Sequence, residues 1–525
     1  MISPARSRFG WKCCRALGVR RNTAVSESTF SLLQQIQRTH GSEDQGTLQS
    51  VAGSVLRVTL PGPVFVGQGL RVREAPAVVL RFDRAGVVAA LLASDASPPT
   101  AGEVVVPGRS LALQSRQWAA GVTYASVADL LTSEGSPSES LLKLPANPAV
   151  PSRRPIRQRL ASGLAAAELL LPLGQGHRVG LVGPPGTGKS ASLRMLVASQ
   201  PADTAVVYAA VRSPERLRSE FEALGFSERS APAVVLCAEP RASAAERYFL
   251  VLSALRLATS LRKSHQHVLL AVDDCMNFAE AANELNGAPP VPPAQAVAAM
   301  LDTGGNFEDE GAEHALSVAI ALDLVPEDEL PTTAREVWRG AEPSLDVCLN
   351  FSAKLAAHGV LPAIDLDVLL SSAGYPPVYQ APLLGALRKE IRKLLERSKQ
   401  LNQRLETGRE LGFHAETEDL DALGSDTVAR ALLSHSKPRS LRELAVLACA
   451  SVVYYFPHHR TPPRSALAGF QAEVLESIRS ECPAIWDSLD RLEELKEADV
   501  GQLLRELGEP LLARRFHYQL TRGDM

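Results

Sequence analysis

Eight consecutive residues, Gly183-Pro184-Pro185-Gly186-Thr187-Gly188-Lys189-Ser190, have the spacing of a loop that cradles phosphate. Gly183, Gly186 and Gly188 let backbone N–H groups turn inward around an anion, with Thr187 inside the turn. Lys189 is placed to reach the outer phosphates of a nucleotide, and Ser190 offers a hydroxyl to Mg²⁺. A second cation ligand should end a hydrophobic strand, and "HVLLAVDD" supplies Asp273, with Asp274 after it. The candidate cofactor-binding residues are therefore Gly183, Gly186, Thr187, Gly188, Lys189, Ser190 and Asp273. Ser190 and Asp273 form the metal side, and the expected cofactors are ATP or ADP with Mg²⁺. Hydrolysis needs more: a carboxylate or amide that orients water, and an arginine that meets the developing charge.

Such a loop must sit between a strand and a helix. "RVGLVG" precedes it and "SASLRMLVASQ" follows, which is the required context. Further strand-like runs, "TAVVYAAV", "APAVVLCA", "HVLLAVDD" and "ALSVAIAL", alternate with helical segments and predict a parallel sheet with helices on its faces. Before them, from Val51 to about Leu113, short β-type runs broken by glycine and proline predict a small antiparallel barrel or sandwich. "LASGLAAAELLL" reads as an amphipathic helix, "NGAPPVPPAQ" as a proline-rich loop and "NFEDEGAEH" as an acidic surface segment. After about Pro377 the chain turns helical, as in "LLGALRKEIRKLLERSKQLNQRLETG".

The bulk numbers set outer bounds. A chain of 525 residues is too long for one core. Hydrophobic residues at 45% and charged residues at 22% are ordinary for a soluble globular protein. A net charge of −3 with only 5% aromatics gives no footprint for nucleic acid. The cysteines lack any CxxC pair, so buried reduced thiols are expected and a zinc site or disulfide framework is not. "LAVLACASVVYYF", the longest apolar run, is too short to span a bilayer and reads as a buried helix. Residues 1–26 carry six Arg or Lys and no acid, the pattern of a mitochondrial or chloroplast transit peptide, with a disordered basic tail as the alternative.

From Ile156 to Arg178, "IRQRLASGLAAAELLLPLGQGHR" resembles the approach to the phosphate loop in the alpha subunit of the mitochondrial and bacterial ATP synthase. Gly163, Leu170, Pro172, Gly174, Gly176 and Arg178 fall on family positions. "HVLLAVDD", "ELPTTAREV", "LPAIDLDVLLSSAGY" and "LRELAVLACASVVYYF" resemble later family segments in the same order. The resemblance implies a multidomain chain: an N-terminal β-barrel at 46–115, a central α/β P-loop domain of RecA-like type at 150–376 and a C-terminal α-helical domain at 377–525. It also implies a place beside beta subunits in an alternating hetero-hexameric ring, with central and peripheral stalk subunits as further partners. Contact with the membrane would come only through that complex. The implied location is the matrix side of the mitochondrial inner membrane.

Departures from the family limit what this site does. Ser213 falls where catalytic beta subunits carry a glutamate, and Glu215 reads as an ordinary helix-start acid. Ser372 falls where alpha subunits donate an arginine to the neighbouring site, a contribution of roughly 10³ to 10⁵ in rate in related phosphoryl transfers. Arg388 and Arg392 are poorly placed to replace it, and the purine pocket is altered at Leu361, His435 and Lys437. The resulting expectation is a divergent alpha-like subunit that holds Mg-nucleotide without turnover and supports ATP synthesis at beta interfaces. The alternatives are a diverged paralogue acting in assembly or regulation, and a free-standing AAA-type ATPase.

Overall fold

A computed structural model describes residues 45–513 except 74, 85, 93–98, 115–117, 136–139, 145–152, 286–290, 310, 325–331, 369–379, 410–429, 431, 434–437 and 452–463. The segment 1–26, Ser372, His435 and Lys437 lie outside the described residues.

The first strands are β1 (Gly46–Ala52), β2 (Val55–Thr59), β3 (Gln68–Val72), β4 (Ala75–Asp83), β5 (Gly86–Leu91) and β6 (Val104–Leu113). They pair antiparallel in the order β1-β2-β5-β4-β3-β6, and β6 returns to β1, so the sheet closes into a barrel. Closure removes open edges. The interior is filled by alternate residues such as Leu56 and Val58 of β2, Ala77 and Val79 of β4, and Ala89 and Leu91 of β5. The chain then leaves to form β7 (Gly121–Ser126) and comes back as β8 (Leu131–Gly135), which pairs with β6.

β7 does not belong to the barrel. It pairs parallel with β12 (Pro232–Ala238) and forms one edge of the central sheet. The remaining strands are β9 (Arg153–Arg154), β10 (Arg178–Gly183), β11 (Ala205–Val211), β13 (His267–Asp273), β14 (Gly305–Asp309), β15 (Ala312–Asp323) and β16 (Val347–Asn350). Five of these run parallel with β12 and β7, in the order β16-β10-β15-β13-β11-β12-β7.

Helices cover both faces. On one lie α1 (Ala165–Leu170), α2 (Lys189–Ala198) and α3 (Pro214–Glu222); on the other lie α4 (Ala244–Leu261), α5 (Cys275–Glu284), α6 (Pro293–Asp302) and α7 (Thr332–Ala341). Strand parity explains the division. Val206, Tyr208 and Ala210 of β11 join the first core, while Ala205, Val207 and Ala209 join the second.

One local expectation is corrected. α1 is not amphipathic, because all six of its residues are buried between the sheet and the C-terminal helices. The acidic segment lies at the surface as expected, at the tip of the β14–β15 hairpin, where Gly311, Ala312 and Glu313 are exposed. Phe307 of that hairpin points inward and is fully buried, with the Arg153 and Arg262 guanidiniums over its ring.

After the short helix α8 (Ala353–Ala357), the described helices are α9 (Pro382–Arg409), α10 (Leu441–Ala450), α11 (Arg464–Glu481), α12 (Pro483–Ser488) and α13 (Val500–Ala513). α10 is buried from Leu444 to Ala450 and packs against α1, α9 and α11. No helix among the described residues is long and apolar enough to cross a membrane.

Candidate nucleotide site

β10, β13, β11 and β15 are parallel, so their carboxyl ends share one edge of the sheet. Gly183, Asp273, Val211 and Asp323 stand there, the edge at which open α/β sheets bind ligands. The loop crosses this edge. Gly183 takes a φ of +154°, and a Cβ on it would fall 2.4 Å from the Phe351 carbonyl oxygen. Gly188 takes a φ of +95° at the N-terminus of α2, packed against Pro362. Thr187 Oγ1 donates to the Pro184 carbonyl at 2.8 Å and fixes the turn. Pro184 and Pro185 have no N–H, so the cradle depends on the N–H groups from Gly186 onward.

Ser190 Oγ donates to Asp273 Oδ1 at 2.7 Å, bringing together the two groups that sequence assigns to the cation. Asp273 Oδ2 accepts from the Tyr208 hydroxyl at 2.8 Å and lies 3.6 Å from Arg194 Nη1. Burial, reinforced by Asp273, raises the Tyr208 hydroxyl well above its ordinary pKa, so it remains a donor. Asp274 caps α5 by accepting from the Met276 N–H at 2.8 Å. Burial pushes its carboxyl up to about 8, with Asp323 and Asp273 adding to the rise, which leaves it largely protonated at neutral pH.

Lys189 is almost completely buried. Its Nζ donates to the Pro184 carbonyl at 2.5 Å and forms an ion pair with Asp323 Oδ1 at 2.6 Å. Asp323, Arg194 and Tyr208 were missed in the sequence reading. Asp323 ends the strand that pairs beside the loop strand, a position that only the sheet order reveals.

These residues fit a magnesium nucleotide. The cradle excludes side chains at Gly183, and a hydroxyl and a carboxylate converge beside it. Among the described residues no group of three or more His, Cys, Asp or Glu could hold a metal on its own, so a cation here would need oxygens from the nucleotide.

The groups needed for turnover are placed differently. Ser213 precedes α3, and Glu215 is exposed in that helix's first turn. The next acid on the helix, Glu220, is held by Arg194, Arg212 and Arg216. Arg388 is buried on α9 and donates to Gln380, and Arg392 pairs with Glu396 on the same helix. Leu361, at the altered purine position, is half exposed beside Gly188.

Strand, glycine loop, helix and strand-end aspartate define a phosphate-loop nucleotide-binding domain. Residues 163–373 match the nucleotide-binding domain of the ATP synthase alpha/beta family. The flagellum-specific ATP synthase of Salmonella typhimurium is 30% identical over 244 residues, 45% of this chain and 52% of that protein. A type 3 secretion system ATPase of Xanthomonas euvesicatoria is 26% identical over 249 residues, covering 46% and 56%. The ATP synthase subunit alpha of Aquifex aeolicus is 23% identical over 268 residues, covering 47% and 51%. The chain thus spans about half the length of the curated relatives it matches. The similarity is to a domain shared by flagellar, secretion and ATP synthase proteins.

Proposed function

We propose that this chain is a diverged, nucleotide-holding protein of the ATP synthase alpha/beta type, acting in assembly or regulation with little or no turnover of its own. It binds ATP or ADP with Mg²⁺ through the loop, Lys189, Ser190 and Asp273. The observation that carries this reading is a complete phosphate cradle lacking a water-activating carboxylate after β11. Ser213 stands there, Glu215 faces solvent and Glu220 is held by arginines. A bound Mg²⁺ would neutralise phosphate charge.

The test uses the purified full chain with a fluorescent ATP analogue, and phosphate release measured in parallel. Binding should be lost in Lys189→Ala, with release at background in both proteins. Turnover of about 1 s⁻¹ or faster, within the ordinary enzyme range, would overturn the non-hydrolysing assignment. It would favour an ATPase in its own right, the reading that the flagellar and secretion relatives support.

A second reading is a working alpha-like subunit alternating with beta subunits on the matrix side of the mitochondrial inner membrane. Similarity to the Aquifex aeolicus alpha subunit supports the alpha-like part of this reading. Quantifying this chain against beta in natively purified ATP synthase separates the two. A one-to-one ratio establishes the subunit, and its absence from the complex removes that reading.

A further inference from the structure

Lys189 already has an anion. Its ammonium is within reach of the Pro184 carbonyl, Thr187 Oγ1 at 3.5 Å and the carboxylate of Asp323. The three acceptors account for its three protons, and only Asp323 is charged. β10 and β15 are parallel in register, Gly183 opposite Asp323, so this carboxylate is fixed at the mouth of the loop. Leu324 N–H donates to the Gly183 carbonyl at 3.0 Å and anchors the chain just beyond it. Arg194 lies 3.2 Å from Glu220 and 3.6 Å from Asp273. A polyphosphate entering the loop therefore meets Asp323 in competition for one lysine, with Asp273 close by.

We propose that Asp323 is a specificity-determining residue that makes this site take a polyphosphate only together with a divalent cation. The inference rests on the proposed nucleotide binding and adds the group that sets its condition. Without the cation, the phosphates and Asp323 repel each other and compete for Lys189. With it, Ser190, Asp273 and the phosphates share a positive charge that offsets the repulsion. Removing the Asp323 charge should relax the requirement.

Asp323→Asn retains the side chain's shape at a strand end where it is about one-third exposed, 36%. Circular dichroism and thermal unfolding establish that it folds. Affinity for a fluorescent ATP analogue is then measured for the full chain and the variant, with Mg²⁺ and with EDTA. In EDTA, Asp323→Asn should bind about tenfold or more tightly than the unaltered chain, the scale of one unit charge at short range in a partly solvated site. In Mg²⁺ the two should differ far less, and Asp323→Glu should restore the cation requirement. Equal cation dependence in all three proteins overturns the inference and leaves nucleotide binding intact. Weaker binding by Asp323→Asn in both buffers also overturns it, because Asp323 would then assist. Binding by none of them removes the nucleotide reading and this inference with it.

Discussion

His267 opens the strand that ends at Asp273, and burial alone sets its chemistry. Nε2 lies 2.9 Å from Ser317 Oγ and Nδ1 lies 3.5 Å from Thr204 Oγ1. Burial lowers its pKa to about 4 from an ordinary 6.5. A depressed folded-state value means that stability is complete above the unfolded pKa and is lost as pH falls, because only the unfolded chain takes up the proton. Between pH 6.5 and 4 the loss should reach about 3 kcal/mol. Urea midpoints across this range should fall more steeply for the unaltered chain than for His267→Gln. Parallel curves would show that His267 is not the titrating group. At this scale the loop residues and Asp273 were legible because each has a fixed spacing or a strand end to mark it. Asp323 was not, because its partner lies far away in sequence and meets it only through sheet order.

At the scale of elements, α4 is the clearest case of a local signal. Ser243 Oγ accepts from the Glu246 N–H at 3.1 Å, and Glu246 Oε2 accepts from the Ser243 N–H at 3.0 Å. The S-x-x-E pattern of this reciprocal cap is visible in the sequence. Ser243 Oγ also donates to the Leu91 carbonyl at 3.3 Å, so the cap touches the barrel. Ser243→Ala should cost about 1 kcal/mol, the usual value of an N-cap, read as a lower urea midpoint with an unchanged slope. A fall within error of zero would mean that the barrel contact and water replace the cap fully. Two elements gave a weak or misleading local signal. β7 is an ordinary apolar-polar run, and its membership of the central sheet depends on pairing with β12, more than a hundred residues later. The stretch 306–314 reads as a solvated acidic segment because Phe307 is the one fully buried residue described in it, whereas β15 is buried from Ala315 to Leu322.

The whole molecule is joined through the approach to the phosphate loop. The order of barrel, sheet and helices could be read from the alternation of strand and helix signals, but the contacts between them could not. Arg159 shows why. It donates to both oxygens of Glu168 on α1, at 3.2 and 3.1 Å, and to Glu493 among the C-terminal helices at 2.5 Å. Glu168 is 2% exposed and also accepts from the Ser162 N–H at 2.6 Å and the Ser162 hydroxyl at 2.8 Å. The side chain of Gln380, at the entry to α9, lies 3.4 Å from the Glu168 carbonyl. Arg159→Met keeps the apolar stem and strands a buried carboxylate without its cation. Loss of one partner of a buried pair costs 3–5 kcal/mol, and since Arg159 is itself about one-fifth exposed the expected loss is lower, about 2 kcal/mol. Adding Glu168→Gln removes the stranded charge and should recover at least half of that loss. Chemical denaturation of the single and double variants decides the matter. A double variant no more stable than Arg159→Met alone would mean that Arg159 acts through packing and its contact with Glu493, and that the Glu168 charge does not join the nucleotide domain to its helices.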